Sequence, residues 1–432
     1  MITLSMASLW IRYFYRGDVI PLTLVIHSGV VAERLYGFKR IQGVDRHVDL
    51  SKGVAFPGFI DIHCHLRGLE LSYKEDEESG TRAAAKGGYV AVVDMPNTKP
   101  RVNSVESLRM KLESLNNKSC VDYGVWIAPS LRTREVVEML KHPGVVGVKI
   151  FPEDFNLLST VLSMNVEKLK LIVHAEDPYF INECRAGSRW KCRPIEGELK
   201  AVERVYSTLV SIGLRRDVRI HITHATNPLT LLVAKKMGFT VDTCPHYLYL
   251  SSIDELRSGC IAKVNPPLRH PQTPISLLKF VKYLDAISTD HAPHSIDEKS
   301  VDFAECPSGI ASIEYAALAM LNLALKAELD LNDVVRLLSK GPSEILELRL
   351  FGDASPGGIA SYTVVDFSSE TRVKSLEMVS KAKNTPYDGV VFKGSILATV
   401  VRGRVIYMNG EFLEGIKPMP LTEVVKVNAS WS

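Results

Sequence analysis

Residues 57–67 read PGFIDIHCHLR, an apolar run that ends in the pair His63-x-His65. Residues two positions apart on a β-strand project from the same face, so both imidazoles can point at one ion. Neutral imidazole nitrogen is a ligand that zinc and related divalent metals accept. The segment therefore predicts a strand with a candidate metal site at its carboxyl end.

The middle of the chain alternates apolar runs with helical segments. The runs are continuous and rich in β-branched residues, which is typical of strands buried on both faces. Amphipathic segments such as 104–115 and 227–237 lie between them. About eight such units predict a parallel sheet closed into a (β/α)₈ TIM-type barrel. The predicted strands are residues 54–61, 89–95, 123–128, 145–151, 171–174, 218–224, 240–243 and 284–290.

Both ends of the chain have a different character from the middle. Short β-type runs separated by turn signals such as Gly403 and Asn409-Gly410 occur at the two termini. We expect residues 1–55 and 346–432 to pair into one small composite β-sandwich domain. The barrel would then occupy residues 56–345.

Composition excludes several function classes. The 52 basic and 49 acidic residues give a net charge of +3, so no overall field attracts nucleic acid or a membrane surface. The acidic segment 74–78 is brief, and we expect it to be a solvated helix start.

No signal peptide and no apolar run of about 18 residues is present, so we expect no membrane span. The seven cysteines form no C-x-x-C pair, which predicts no disulfide framework and a reducing, cytoplasmic location.

Side chains capable of chemistry follow the predicted strands. In a barrel the carboxyl ends of all strands meet on one face, so these side chains should lie close together. A bound divalent metal lowers the pKa of water from about 15.7 to about 7, which amide hydrolysis at neutral pH needs. Two such ions need a bridging anion, and a lysine supplies one only as a carbamate formed with CO₂. The candidates are His63, His65, Arg67, Asn97, Lys149, His174, His224, Asp290 and His294.

Several motifs resemble one known family. The opening PGFIDIHCH at 57–65 is similar to the amidohydrolase superfamily, within which the chain resembles the cyclic amidohydrolases called dihydroorotases. The resemblance covers about residues 50–410. The motifs that carry it are HLR at 65–67, KED at 74–76, SGT at 79–81, MPNT at 95–98, KVNPPLR at 263–269, DHAPH at 290–294, SK at 380–381 and NTPYDG at 384–389.

This resemblance implies a hydrolase with two zinc ions per chain that acts in pyrimidine biosynthesis. His63, His65 and Asp290 would hold one metal, His174 and His224 the other, and Lys149 carboxylated by CO₂ would bridge them. Asp290 would also be the catalytic acid and base. Arg67, Asn97 and His294 would bind the substrate carboxylate, and Asn265 the ring. The reaction would be the reversible cyclisation of N-carbamoyl-L-aspartate to L-dihydroorotate.

Some alternatives stay open at this stage. Hydantoinases and allantoinases share the metal ligands but act on other rings, and a non-catalytic scaffold homologue is the alternative from another class. Glu153 or Asp154 could replace Lys149 as a ligand. Gly68-Leu69-Glu70 stands where the family usually has Glu-Pro-Gly, and residues 295–307 could form a mobile flap. His246 has no assigned role, and homo-oligomers or association with aspartate carbamoyltransferase are both compatible with the sequence.

Overall fold

The computed structural model describes residues 6–182, 184–213, 217–413 and 416–429, which contain sixteen strands in two eight-stranded sheets. The first four strands are β1 Met6–Tyr15, β2 Asp18–His27, β3 Val30–Tyr36 and β4 Arg46–Pro57. The next eight are β5 Phe59–Cys64, β6 Tyr89–Asp94, β7 Asp122–Ile127, β8 Val145–Ile150, β9 Lys170–His174, β10 Arg219–Thr223, β11 Thr240–Thr243 and β12 Ala286–Ile287. The last four are β13 Tyr362–Arg372, β14 Val391–Val401, β15 Arg404–Met408 and β16 Glu411–Phe412.

Helices connect the strands of the middle segment and also follow them. They are α1 Glu77–Lys86, α2 Val105–Lys118, α3 Thr133–Met139, α4 Leu158–Leu162, α5 Arg189–Cys192, α6 Ile195–Ser211, α7 Pro228–Lys236, α8 Pro245–Tyr249, α9 Ser252–Ser258, α10 Gln272–Leu278, α11 Ile296–Lys299, α12 Ile313–Leu325, α13 Leu331–Val335, α14 Gly341–Leu346 and α15 Leu421–Ala429. The predicted helices at 104–115 and 227–237 are confirmed as α2 and α7. Side chains of Ser104 and Asn227 cap their first turns. Among the described residues, every helix is too short or too polar to cross a lipid bilayer.

Strands β5 to β12 form the predicted barrel. They are parallel, and each lies beside the strand that precedes it in the chain. The barrel closes between the end of β5 and the segment that follows β12. Here Cys64 forms a β-bridge with His291, and the amide of His65 donates to the carbonyl of His291 at 2.7 Å. The predicted first run, 54–61, belongs to two strands, because the chain passes from β4 into β5 at Gly58. A Cβ at Gly58 would lie 2.5 Å from Cγ2 of Val90, so glycine lets the two sheets approach.

The terminal strands form one composite unit, as the sequence predicts. Their order is β16-β15-β14-β13-β4-β1-β2-β3, with β4 and β13 joining the two ends of the chain antiparallel. The sheet folds over on itself, since a Cβ at Gly403 would lie 2.5 Å from Cγ2 of Ile26, at the end of β2. Gly403 has φ +75°, a conformation that glycine adopts without strain. A separate apolar core lies between these strands.

Two expectations are wrong. The acidic segment 74–78 is not simply solvated, because Glu75 and Glu77 are fully buried. Disulfides are also present: Cys184 pairs with Cys192, and Cys260 pairs with Cys306. The first pair lies only 8 residues apart in sequence, whereas the second lies 46 residues apart and is brought together by the fold. Cys64, Cys120 and Cys244 remain as free thiols among the described residues.

Glu77 belongs to a buried ion cluster beneath the barrel face. The ammonium of Lys111, on α2, lies 2.8 Å from Oε1 of Glu77 and also pairs with Asp94 at the end of β6. It donates a further 3.0 Å hydrogen bond to the backbone carbonyl of Arg67. Burial alone would lower the pKa of Lys111, but the carboxylates of Asp94 and Glu77 outweigh it and raise that pKa. The cluster fixes the loop that carries Arg67.

Lys111→Met should destabilise the fold by about 3–5 kcal/mol, because it leaves two buried carboxylates without their cation. The measurement is the free energy of unfolding from urea titration followed by circular dichroism. Lys118→Met, an exposed position on the same helix, is the matched control and should change that free energy little. Equal stability of the two variants would contradict the assigned role of the cluster.

Candidate metal centre and ligand pocket

The three predicted ligands His63, His65 and Asp290 meet at the carboxyl ends of the first and last barrel strands. Their ligand atoms all lie within 4.8 Å of one another, and all three residues are buried. Nε2 of His63 lies 3.2 Å from Oδ1 of Asp290, and Nε2 of His65 lies 3.1 Å from the same oxygen. The spacing of the HxH motif thus places both rings on one face, as the sequence predicts.

Hydrogen bonds on the far side of each ring decide which nitrogen carries the proton. The Thr223 hydroxyl donates to Asp242 at 3.1 Å, so it must accept the 2.6 Å bond from Nδ1 of His63. The amide oxygen of Asn97 accepts from Nδ1 of His65, also at 2.6 Å. Burial lowers the pKa of both imidazoles and keeps them neutral. Two nitrogen lone pairs therefore face one carboxylate oxygen, an arrangement that a divalent cation satisfies.

A second group of predicted ligands adjoins the first. The ring centroids of His63 and His224 are 5.2 Å apart, and those of His174 and His224 are 4.4 Å apart. Nε2 of His174 lies 2.7 Å from Oε2 of Glu176, which leaves its Nδ1 for another partner. Nδ1 of His224 and Nζ of Lys149 are buried and have no hydrogen-bond partner within the described part of the chain. Buried polar atoms without partners indicate a missing ligand, so the donor set fits a metal.

Two buried carboxylates hold the ligand-bearing backbone in place. Asp61 accepts hydrogen bonds from the amides of His63 and Thr289, at 3.1 and 3.0 Å. Asp242 accepts from the amide of His224 and from Nε2 of His221. Burial raises the pKa of Asp61 to about 7, although these hydrogen bonds oppose the shift. Sequence reasoning assigned no role to Asp61 or Asp242. Each lies on a barrel strand, Asp61 on β5 and Asp242 on β11.

The ligands open into a cavity of about 320 Å³. Predicted ligands and predicted substrate-binding residues share its wall with residues that the sequence did not single out, such as Arg193. Lys149 is buried in β8 beneath this surface, and His294 lies behind Arg67. The lining residues are His63, His65, Arg67, Asn97, Phe151, Pro152, Glu153, His174, Ile181, Arg193, His224, Asn265, Asp290, Ala292, Ser308 and Gly309.

Arg67 is held rigidly against this cavity. Its Nε donates to the carbonyl of Pro293 at 3.2 Å, and its NH2 lies 3.2 Å from Nε2 of His294. Burial and the neighbouring guanidinium lower the pKa of His294 to about 2, so this imidazole is neutral. His294 therefore positions the Arg67 guanidinium without adding a second charge.

The positions that the sequence left open have definite surroundings. Gly68 has φ +66°, and a Cβ there would lie 2.1 Å from Oε1 of Glu77, so only glycine fits the loop. Asp154 pairs with Arg101 and accepts from the amide of Phe151, whereas Glu153 lines the cavity. His246 is fully buried, and neither ring nitrogen has a hydrogen-bond partner among the described residues.

The segment expected to be a flap is tied to the wall of the pocket. Lys299 donates to the carbonyls of Cys260 and Pro307, each at 2.8 Å. Lys263 donates to the carbonyls of Phe303 and Cys306. The Cys260–Cys306 disulfide joins the same two stretches. These contacts anchor residues 299–307 beside Asn265.

A (β/α)₈ barrel whose strand ends bring histidines, an aspartate and a lysine to one buried site defines a class, the metal-dependent hydrolases of the amidohydrolase type. A family profile described as "Dihydro-orotase-like" matches residues 53–135. The dihydroorotase of Saccharolobus solfataricus is 36% identical over 86% of this chain and 89% of its own length. That of Aeropyrum pernix is also 36% identical, over 94% and 96% respectively. The chain belongs to the dihydroorotase family.

Solved structures show the same fold. The L-hydantoinase (dihydropyrimidinase) of Arthrobacter aurescens superposes with a TM-score of 0.86 at 21% identity, covering 96% of this chain and 98% of its own. The dihydropyrimidinase of Brevibacillus agri NCHU1002 has a TM-score of 0.81 at 19% identity, covering 96% and 99%. At this level of identity the likeness extends to the fold, barrel and terminal sheet together.

His63→Asn should lower metal affinity by more than about tenfold, because it removes one of the converging lone pairs. The measurement is metal content by inductively coupled plasma mass spectrometry after dialysis against a weak chelator. His47→Asn, at an exposed position on β4, is the control and should retain the wild-type metal content. Full metal content in His63→Asn would remove this residue from the site.

Proposed function

We propose that this protein is a dihydroorotase, which closes N-carbamoyl-L-aspartate reversibly to L-dihydroorotate with release of water. The observation that carries the proposal is one cavity in which a buried guanidinium, that of Arg67, faces the same space as the converging lone pairs of His63 and His65. A planar guanidinium binds a carboxylate through two parallel hydrogen bonds. The site thus combines residues that can bind a cation with an arginine that can bind the carboxylate of an acidic ring.

The proposed cofactors are two zinc ions per chain. His63, His65 and Asp290 would hold one ion, and His174 and His224 the other. When bound, such ions lower the pKa of water and polarise a carbonyl group. Burial lowers the pKa of the His63, His65 and His224 imidazoles, which supports this assignment, since zinc binds imidazole nitrogen without a proton.

The bridging anion would be a carbamate on Lys149. Burial lowers the pKa of this amine to about 8, so a larger fraction is neutral and able to react with CO₂ at physiological pH. Its Nζ has no hydrogen-bond partner among the residues that the structure describes, which suits an atom that becomes part of a larger group. The rival acid Asp154 is already engaged by Arg101, which favours Lys149.

Residues of the chain would bind the substrate and move its proton. Arg67 and Asn97 would hold the carboxylate, and His294 would contribute by positioning the Arg67 guanidinium. Asn97 would offer its NH₂ because its oxygen accepts from His65. Asn265 would contact the ring. In ring opening, Asp290 would take a proton from the attacking water and deliver it to the departing ring nitrogen, so that one C–N bond breaks and one C–O bond forms. Ring closure is the reverse.

A hydantoinase is the rival function, because the superposed structures are hydantoinases and dihydropyrimidinases. Their rings carry no obligatory carboxylate, and the buried Arg67 would then have no anionic partner. A non-catalytic scaffold is disfavoured because all six candidate ligands are present. We further propose that the enzyme acts in the cytoplasm, directly after aspartate carbamoyltransferase, either as a homo-oligomer or in association with that enzyme.

Purified protein should open L-dihydroorotate with about two metal ions bound per chain. Asp290→Asn should lower kcat by at least about 10²-fold, because the amide cannot accept the proton. The measurement is the change in ultraviolet absorbance of L-dihydroorotate, with metal content and Tm determined on the same samples. Faster turnover of hydantoin or allantoin than of L-dihydroorotate would replace the proposed substrate, and a wild-type rate in Asp290→Asn would exclude the assigned base.

Arg67→Met should lower kcat/KM for L-dihydroorotate by about 10²-fold, since two charge-assisted hydrogen bonds to the carboxylate are lost. The matched substrate is 5,6-dihydrouracil, the same ring without the carboxylate, for which kcat/KM should change little. Arg82→Met, on the exposed face of α1, is the control variant. An equal loss for both substrates would show that Arg67 supports the site rather than reads the carboxylate.

A further inference from the structure

The side-chain oxygen of Asn265 is held by two arginines. NH1 of Arg193 donates to Oδ1 of Asn265 at 2.8 Å, and NH2 of Arg189 donates to the same oxygen. Both arginines are buried, with 5% and 1% of their surface exposed. Asn265 itself lines the cavity beside the candidate metal ligands.

These contacts fix which end of the amide faces the cavity. A guanidinium carries five N–H donors and no acceptor, so the NH₂ group of Asn265 cannot take the place of its oxygen. With both oxygen contacts supplied by arginines, the group left for a bound molecule is the NH₂. Asn265 can therefore recognise a hydrogen-bond acceptor in the cavity, such as a carbonyl oxygen, and not an N–H.

Arg193 is itself held by Glu176, which also contacts the candidate metal ligand His174. Its Nε donates to Oε1 of Glu176 at 3.0 Å, and its NH2 pairs with Oε2. Oε2 of Glu176 also contacts Nε2 of His174 at 2.7 Å. One continuous chain of contacts thus runs from a candidate metal ligand, through Glu176 and Arg193, to Asn265.

We propose that Arg193 is a positioning residue that sets the polarity of Asn265, so that the pocket selects a ring by one of its carbonyl oxygens. Glu176 holds the Arg193 guanidinium through its Nε and NH2, and NH1 donates to the Asn265 oxygen. This inference deepens the proposed function and rests on it for the identity of the ring. The second arginine, Arg189, is held separately by Glu255 at 3.2 Å and by the carbonyl of Val264 at 2.7 Å.

The test is a double-mutant cycle on the metal-loaded, full-length enzyme with Arg193→Lys and Asn265→Ala. Lysine keeps a cation against Glu176, so the buried carboxylate stays paired, but it lacks the fork that reaches Asn265. Each single variant should lower kcat/KM for L-dihydroorotate at least about tenfold, mainly through KM, as expected for one charge-assisted hydrogen bond. In the Asn265→Ala background, Arg193→Lys should have no further effect, because both changes remove the same interaction.

Metal content and Tm separate this role from a structural one, and both should remain at wild-type values in Arg193→Lys. Arg204→Met, a partly exposed position on α6, is the control and should leave KM unchanged. Additive effects in the cycle would mean that Arg193 acts independently of Asn265 and would overturn the proposal. So would a wild-type KM in Arg193→Lys.

Crystal structures of wild type and Arg193→Lys give an outcome that does not need turnover. The Asn265 amide should turn or become disordered in the variant, and an unchanged amide held by Arg189 alone would overturn the proposal. A wild-type enzyme inactive on L-dihydroorotate would instead refute the proposed function. The orientation of the amide would still decide the role of Arg193.

Discussion

The carboxylate of Asp61 links the start of the barrel to its end. It accepts from the amide of His63 on β5 and from the amide and hydroxyl of Thr289, which follows β12. The last strand is only two residues long, so its own ladder does little to close the ring. The same contacts fix the residues next to the candidate ligands, and His63 and Asp290 can therefore meet at one point. Barrel closure and the candidate metal site both use this buried acid, together with the hydrogen bond from the amide of His65 to the carbonyl of His291. Burial raises the pKa of Asp61 to about 7.

Three residues at the same face of the barrel have strained backbone conformations. Arg67, His224 and Asp290 have φ values of +56°, +46° and +43°, a region that residues other than glycine seldom occupy. Such conformations cost about 1–3 kcal/mol each and persist when surrounding contacts determine them. Here the contacts are visible: Lys111 binds the carbonyl of Arg67, and Asp242 accepts from the amide of His224. The buried charges beneath the site therefore hold its functional side chains in orientations that the local sequence would not choose.

The sequence predicts the barrel, the composite terminal unit and the convergence of His63, His65 and Asp290, because these depend on strand periodicity and on the common direction of parallel strands. It does not predict the supporting residues. Glu77 resembles an ordinary acidic helix start, and only the arrival of Lys111 from another helix explains its burial. Arg193 lies 72 residues from Asn265, and Cys260 lies 46 residues from Cys306, so no local pattern reveals either contact. Asp61 and Glu176 did carry a signal, since each lies two residues from a predicted ligand.

A centre of histidine, aspartate and lysine ligands can activate water against many amides, so it cannot by itself choose a substrate. Selection must come from the rest of the cavity wall, where Arg67, Asn97 and Asn265 supply donors. Arg67 offers a guanidinium, and Asn97 and Asn265 have their oxygens occupied by His65 and by the two arginines, which leaves their NH₂ groups toward the cavity. A ligand that presents a carboxylate and ring carbonyls satisfies these donors, whereas one that presents N–H groups at the same points leaves them unpaired at a cost of about 1–3 kcal/mol each. On the proposed function, the candidate metal ligands would account for the class of reaction, and the fixed polarity of the two asparagines would account for the choice of an acidic, carbonyl-rich ring.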